Sequence, residues 1–300
     1  MKVFITGGTG YIGSAVAAEL LRAGHEVTGL TSSEAKVRDL ERAGVQPVVG
    51  DLGDPGTWRR EAARAEGLVH AAFDYGADDP VERDGLAIDG LLSAATEGNS
   101  HRTFVYTSGV WVLGNTGDDP ADETWEPAEP LDLVAWRPAH EQAVLDAGRR
   151  VTPAVVRPGV VYGERRGLMV RFFQSAENEG ASSYIGDGRN RMALIHRDDN
   201  ARLYREILEK AASGMFHAVD GTPITMAEVA VEAGRAAGAP GEPRSVPLEE
   251  ARQELGPVAD ALCLDQVVAA RRSAEVLGWA PRYRSFREGA APAYREWKGA

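Results

Sequence analysis

TGGTGYIGSAV, residues 6–16, is the stretch whose reading decides the fold. It follows KVFIT, an apolar run of strand length, and leads into small and apolar residues that suit a helix. Gly7, Gly10 and Gly13 form a G-x-x-G-x-x-G across the turn between the two. Glycine there permits a tight turn, lets backbone approach a pyrophosphate, and allows a helix to pack closely on a strand. The helix that opens here would direct its first N–H groups and its positive dipole end at phosphates. A glycine triplet alone says little, but a strand before it and a helix after it supply the required context. Gly7, Thr9, Gly10, Tyr11, Ile12 and Gly13 are therefore expected to hold a dinucleotide.

Outward from this loop, strand-like and helix-like stretches alternate. Helices are expected over 14–23, 35–42, 58–64 and 86–95, and another from about 136. Between them run HEVTGL, VQPVVG, GLVHAA, TFVYTS and PAVVRPGVVYG. Strands alternating with helices at this spacing form right-handed βαβ units and a parallel sheet covered on both faces. After Gly163 the elements shorten (ALIH, MFHAV, a helix over 227–237), and Gly, Pro and charged residues interrupt them. The expectation is an α/β protein: a Rossmann-type doubly wound parallel sheet with a smaller, partly interleaved C-terminal substrate lobe. The dinucleotide-binding domain would span 1–165 and the lobe 166–300, with about 195–220 returning to the first domain.

Bulk composition narrows the function. The 300 residues are 43% hydrophobic, enough for a large core, and the formal net charge is −12. An acidic chain is a poor partner for nucleic acid or anionic membrane. No apolar run is long enough to span a bilayer, and no signal-peptide pattern precedes KVFIT, so a cytoplasmic protein is expected. The single cysteine, Cys263, rules out an internal disulfide framework and reads as a small buried hydrophobe. No H-E-x-x-H or paired C-x-x-C occurs, so no metal is expected.

The end of the second strand separates the two nicotinamide nucleotides. An acid there would bind the ribose 2′-hydroxyl and repel a 2′-phosphate. GLTSSEAKVR instead places Thr31, Ser32 and Ser33 at that edge, with Lys36 and Arg38 just beyond. Small hydroxyls beside cations suit a phosphate, which favours NADP, while Glu34 keeps NAD possible.

Taken together, TGGTGYIG (6–13), GDLGD (50–54), HAA (70–72), FVYTSGVWVLG (104–114), RPGVVYG (157–163) and IHRDDNA (195–201) resemble the short-chain dehydrogenase/reductase superfamily. The likeness is to its extended and atypical branches of the NAD-dependent epimerase/dehydratase type, and it covers nearly the whole chain. It implies that Asp51 and Leu52 flank an adenine and that Ala71, Ala72 and Thr107 run along the cofactor. Pro158, Gly159 and Val160 would lie near the nicotinamide.

The same resemblance implies a catalytic Tyr with a Lys four residues later, a Ser on the neighbouring strand and an Asn further back. None of the four is present. The tyrosine position falls on Trp136 and the lysine on His140 of AWRPAH, the serine on Gly109 beside Ser108, and the asparagine on Asp84. An Asp there, with a degraded tetrad, looks like an atypical subgroup. A literal Y-x-x-x-K does occur at Tyr294 and Lys298, but in the last residues and outside the strand-to-helix context the motif needs.

Trp136 can donate a hydrogen bond but cannot release a proton near neutral pH. It can fill space beside the nicotinamide or stack on a flat substrate. His140 shares its helix face, and Pro138 between them is compatible with a first helical turn. His140 can contact the ribose, transfer a proton, or simply pack. Other candidate donors are Ser108, Tyr75, Asp74 and Tyr162.

Three functions stay open at this point. The first is an NADP-dependent oxidoreductase acting on a small carbonyl or alcohol without the usual Tyr/Lys pair. The others are a redox-neutral epimerase, dehydratase or cyclase that retains the nucleotide, and a non-catalytic NADP-sensing protein. The expected partner is a small-molecule substrate, and a monomer and a homodimer fit equally well.

Overall fold

The computed structural model describes residues 1–97, 101–127 and 129–299. The apolar runs become strands: β1 (Lys2–Thr6), β2 (Glu26–Thr31), β3 (Gln46–Val49), β4 (Gly67–His70), β5 (Arg102–Thr107) and β6 (Val151–Pro158). Further on come β7 (Val160–Tyr162), β8 (Ser183–Ile185), β9 (Arg191–Met192), β10 (Leu194–His196) and β11 (Gly214–Ala218). One seven-stranded sheet has the order β11-β6-β5-β4-β1-β2-β3. Its pairs from β3 through β6 are parallel. Between β4 and β1 the order reverses, the switch point at which doubly wound sheets bind ligands beyond the strand ends. Val3, Phe4 and Ile5 of β1 are all buried, and so is every residue of β4, as expected where helices cover both faces.

The connecting helices are α1 (Tyr11–Arg22), α2 (Glu34–Arg42), α3 (Arg59–Ala62), α4 (Pro80–Thr96) and α5 (Arg137–Leu145). α1 and α4 begin several residues earlier than the apolar pattern predicts. α1 starts directly after Gly10, because the glycine turn itself serves as the cap. α4 starts six residues early, at Pro80, whose fixed φ suits a first helical turn where its missing N–H costs nothing. Asp84, Ala87, Ile88, Leu91, Ala94 and Ala95 form the buried stripe of α4 at helical spacing, so the fold draws a carboxylate into the core. α3 is shorter than its expected span of 58–64.

The chain divides into two compact units. The first holds Met1–Ser108, Trp136–Val156 and Ala201–Phe216; the second holds Gly109–Ala135, Arg157–Asn200 and His217–Ala300. In the first, Phe4, Trp58, Leu68, Leu91, Phe104 and Val155 pack into one core. In the second, Tyr162, Phe172, Phe173, Met226 and Phe286 form another. Cys263 is only partly buried against that second core. Among the described residues, no helix is long and apolar enough to cross a membrane.

Candidate active site

The sheet register builds the centre of the site. Thr6 pairs with His70, and His70 pairs with Tyr106, so three polar side chains stand in one row across β1, β4 and β5. Thr6 Oγ1 and His70 Nδ1 are 2.7 Å apart. Asp84, at the head of the buried stripe of α4, meets this row. The Tyr106 hydroxyl donates to Asp84 Oδ2 at 3.0 Å, and His70 Nε2 stands 3.3 Å from Asp84 Oδ1. The His70 contact is close enough for charge attraction but is not aligned as a hydrogen bond, since Nε2 has no hydrogen-bond partner.

α5 completes the cluster. Its first turn carries Pro138, and Trp136 is the residue preceding the helix. One turn on, His140 places Nδ1 2.8 Å from the same Asp84 Oδ2. Asp84 is 2% exposed and the His140 side chain 19%. Burial would raise the carboxyl's pKa, but the hydrogen bond from His140, the close approach of His70 and the nearby Arg137 charge outweigh it. Asp84 is thus held well below the ordinary carboxylate range. The same carboxylate, with burial as the larger cause, pushes the Tyr106 hydroxyl well above its ordinary value.

Trp136 is packed by its neighbours. Its ring stacks on Phe73 at 4.9 Å and meets the edge of His140 at 5.1 Å, and the Arg137 guanidinium lies 4.5 Å from its centre. Arg137 also donates to the Thr107 carbonyl at 3.1 Å. The Thr107 hydroxyl in turn accepts from the buried Tyr204. Ser108 continues β5, where its N–H donates to the Val156 carbonyl. The Ser108 hydroxyl is buried with no hydrogen-bond partner. Tyr75 stands apart from this cluster: it is 81% exposed and touches Phe73 edge-on.

The glycine loop is built as its spacing requires. Gly7 has φ +74°, and a Cβ there would lie 2.4 Å from the Ala71 carbonyl oxygen, just past β4. A Cβ on Gly13 would lie 2.2 Å from the Gly7 carbonyl oxygen. Gly10 caps α1 without a side-chain hydrogen bond, and the first turn, from Tyr11 and Ile12, contains no acid. The donor end of α1 therefore suits an anionic pyrophosphate. Past β3, Asp51 Oδ1 accepts from the Gly53 N–H and pairs with Arg83 of α4, which also reaches Asp74 at 3.5 Å. Leu52 packs against the first core. Past β2, Ser32 and Lys36 are exposed, and among the described residues neither Lys36 nor Arg38 joins an ion pair.

Pro158, Gly159 and Val160 belong to the second unit. There the Gly159 N–H donates to the Ala218 carbonyl and the Val160 N–H to the Ala193 carbonyl. A Cβ on Gly159 would lie 2.6 Å from the Ala193 carbonyl oxygen. Also in the second unit, the literal Tyr-x-x-x-Lys sits on the C-terminal helix (Phe286–Lys298), where Tyr294 and Lys298 both hold Glu177. That pair is a structural clamp. Tyr162 is fully buried, and its hydroxyl finds no partner.

Sequence reasoning placed Asp84 and His140 separately; the structure joins them. It passed over His70 and Tyr106. For His70 the available signal was a polar residue closing an otherwise apolar buried strand; Tyr106 lies inside β5, among Arg102, Thr103 and Thr107, and carried no such signal.

Residues 3–218 match the NAD dependent epimerase/dehydratase family. Over 290 residues the chain is 32% identical to an uncharacterized protein of Schizosaccharomyces pombe, covering 94% of this chain and 96% of that one. Over 279 residues it is 24% identical to the 2-alkyl-3-oxoalkanoate reductase of Stenotrophomonas maltophilia, covering 87% and 83%. The crystal structure of a human epimerase family protein with NADPH superimposes with a TM-score of 0.80 at 23% identity, covering 98% of this chain and 99% of that one.

Proposed function

Because this chain belongs to the NAD dependent epimerase/dehydratase family, we propose that it is an NADP-dependent oxidoreductase that reduces a small carbonyl compound or oxidises the matching alcohol. The observation that carries this reading is Ser108. Its hydroxyl is buried without a partner at the end of β5, two residues beyond the Tyr106 that binds Asp84. A buried donor left without an acceptor costs roughly 1–3 kcal/mol, which a ligand oxygen would offset. Ser108 thus suits the role of orienting a substrate oxygen.

The residues fit a nicotinamide dinucleotide. The start of α1, which receives no side-chain cap, would with Gly7, Gly10 and Gly13 hold the pyrophosphate, and Asp51 and Leu52 would border the adenine. Ser32, Lys36 and Arg38 favour a 2′-phosphate, because they offer hydroxyls and cations not engaged in ion pairs. A reduced nicotinamide bound there supplies a hydride, with its two electrons, to a carbonyl carbon. Trp136 and Phe73 would exclude water beside the reacting atoms, and Arg137 fixes the strand end at Thr107.

Binding and turnover test the reading separately. NADPH is expected to bind about tenfold or more tightly than NADH, a difference of ~1.4 kcal/mol. Equal affinity would remove the NADP preference. Absorbance of the reduced nicotinamide, followed against a panel of aldehydes and ketones, should fall as alcohol forms. Product without net change in cofactor would indicate a redox-neutral enzyme, and silence across the panel would overturn the oxidoreductase reading.

A further inference from the structure

We propose that His140 is the proton donor of this site, delivering its Nε2 proton to the substrate oxygen, and that Asp84 is the positioning residue that fixes its tautomer and charge. The proposal rests on the carbonyl-reductase reading above.

A carboxylate can only accept, so the 2.8 Å contact with Asp84 requires the proton on His140 Nδ1. That leaves Nε2 as the working nitrogen: a lone pair in the neutral ring, an N–H in the charged one. Among the described residues Nε2 has no hydrogen-bond partner. The Nε2–Cε1 edge of the ring lies over Gly85 of α4, where an added Cβ would come to 3.5 Å, ordinary van der Waals contact. The imidazole is therefore held at Nδ1, while its side chain keeps 19% exposure and Nε2 makes no hydrogen bond among the described residues. This is the logic by which a buried Asp orients a catalytic His in hydrolytic triads.

The groups around the ring decide which form is favoured. α4 contributes the ionised Asp84, β4 contributes His70, and β5 contributes Tyr106. α5 itself contributes Arg137 and Glu141, both of which act on this cluster. Asp84, in direct contact at 2.8 Å, is the nearest charge to the ring.

The step balances. The carbonyl carbon gains the hydride and its electron pair from the reduced nicotinamide, and the C=O π pair moves onto oxygen. That oxygen takes the Nε2 proton, the alcohol departs, and the neutral imidazole is reprotonated by solvent.

Two readouts test the assignment. In cofactor-free protein, nitrogen NMR of the histidine rings should show His140 protonated at Nδ1, and that preference should weaken in Asp84→Asn. In turnover, His140→Gln keeps a side-chain amide near Nε2 but has no acidic proton. It should bind NADPH as the native protein does and lose about 10²–10⁴-fold in kcat. Asp84→Asn retains an acceptor for His140 and should shift the alkaline fall of kcat to lower pH. Native kcat in His140→Gln, or an unmoved Nδ1 preference and pH limb in Asp84→Asn, overturns the proposal. If the native protein reduces no carbonyl, the functional reading fails on its own. The NMR arm then decides alone whether Asp84 governs His140.

Discussion

Asp84 in the first unit and Asp220 in the second are both carboxylates largely removed from water, yet their neighbours send them in opposite directions. Asp84 receives the Tyr106 hydroxyl and His140 Nδ1, with His70 beside its other oxygen, and stays ionised. Asp220 receives one backbone N–H, from Thr222, while its Oδ2 is buried without a partner. Burial, reinforced by Glu288 and Asp199, pushes Asp220 up to about 8. Each carboxylate also acts on a buried tyrosine, raising its pKa. Tyr106 donates to Asp84, whereas the Tyr162 hydroxyl bonds to nothing. Loss of water alone does not set a carboxyl's charge; the number of donors aimed at it does.

Removing Asp84 should produce the largest effect. Asp84→Ala leaves Tyr106 and His140 without their shared acceptor and His70 without the carboxylate beside it, and should cost about 3–5 kcal/mol in denaturant unfolding, as breaking a buried ion pair does. Tyr106→Phe removes one donor to a charged acceptor and should cost about 1.5–3 kcal/mol. A cost near zero for either would break the contrast with Asp220.

Asp220→Asn should act in the other direction. Because the Asp220 pKa lies above its ordinary 3.8 in the folded protein, the folded state binds a proton that the unfolded state has released. Native stability therefore falls as pH rises from about 4 to about 8, and Asp220→Asn should remove that decline and gain at least about 1 kcal/mol at pH 8. Asp84 has the opposite sign. Its contribution is complete above its ordinary 3.8 and is lost only as pH falls below it. Melting curves across pH separate the two. The smallest effect belongs to Tyr162→Phe: deleting a buried hydroxyl without a partner should change stability by no more than about 0.5 kcal/mol, or raise it.

What the sequence disclosed follows from distance along the chain. The glycine loop reads directly because Gly7, Gly10 and Gly13 serve a turn between adjacent elements. Pro138 likewise marked the start of α5 locally. The pairing of Asp84 with His140 spans 56 residues, and neither residue type announces the other. His70 and Tyr106 enter only through the register that aligns β4 with β5, which strand patterns alone do not specify. Asp220 follows the apolar MFHAV run, and nothing nearby in sequence signals that one of its oxygens goes without a donor. The Tyr294 and Lys298 pair shows the converse: the expected spacing is present, but the helix carrying it turns both side chains onto Glu177.

The most direct measurement is a carboxyl-carbon NMR titration of the native protein with Asp84 and Asp220 assigned. The account predicts Asp84 ionised at every pH above about 4, with Asp220 protonated at pH 7 and titrating near 8. A protonated Asp84 at neutral pH would contradict it, because an uncharged carboxyl could not hold His140 in the form assigned to it.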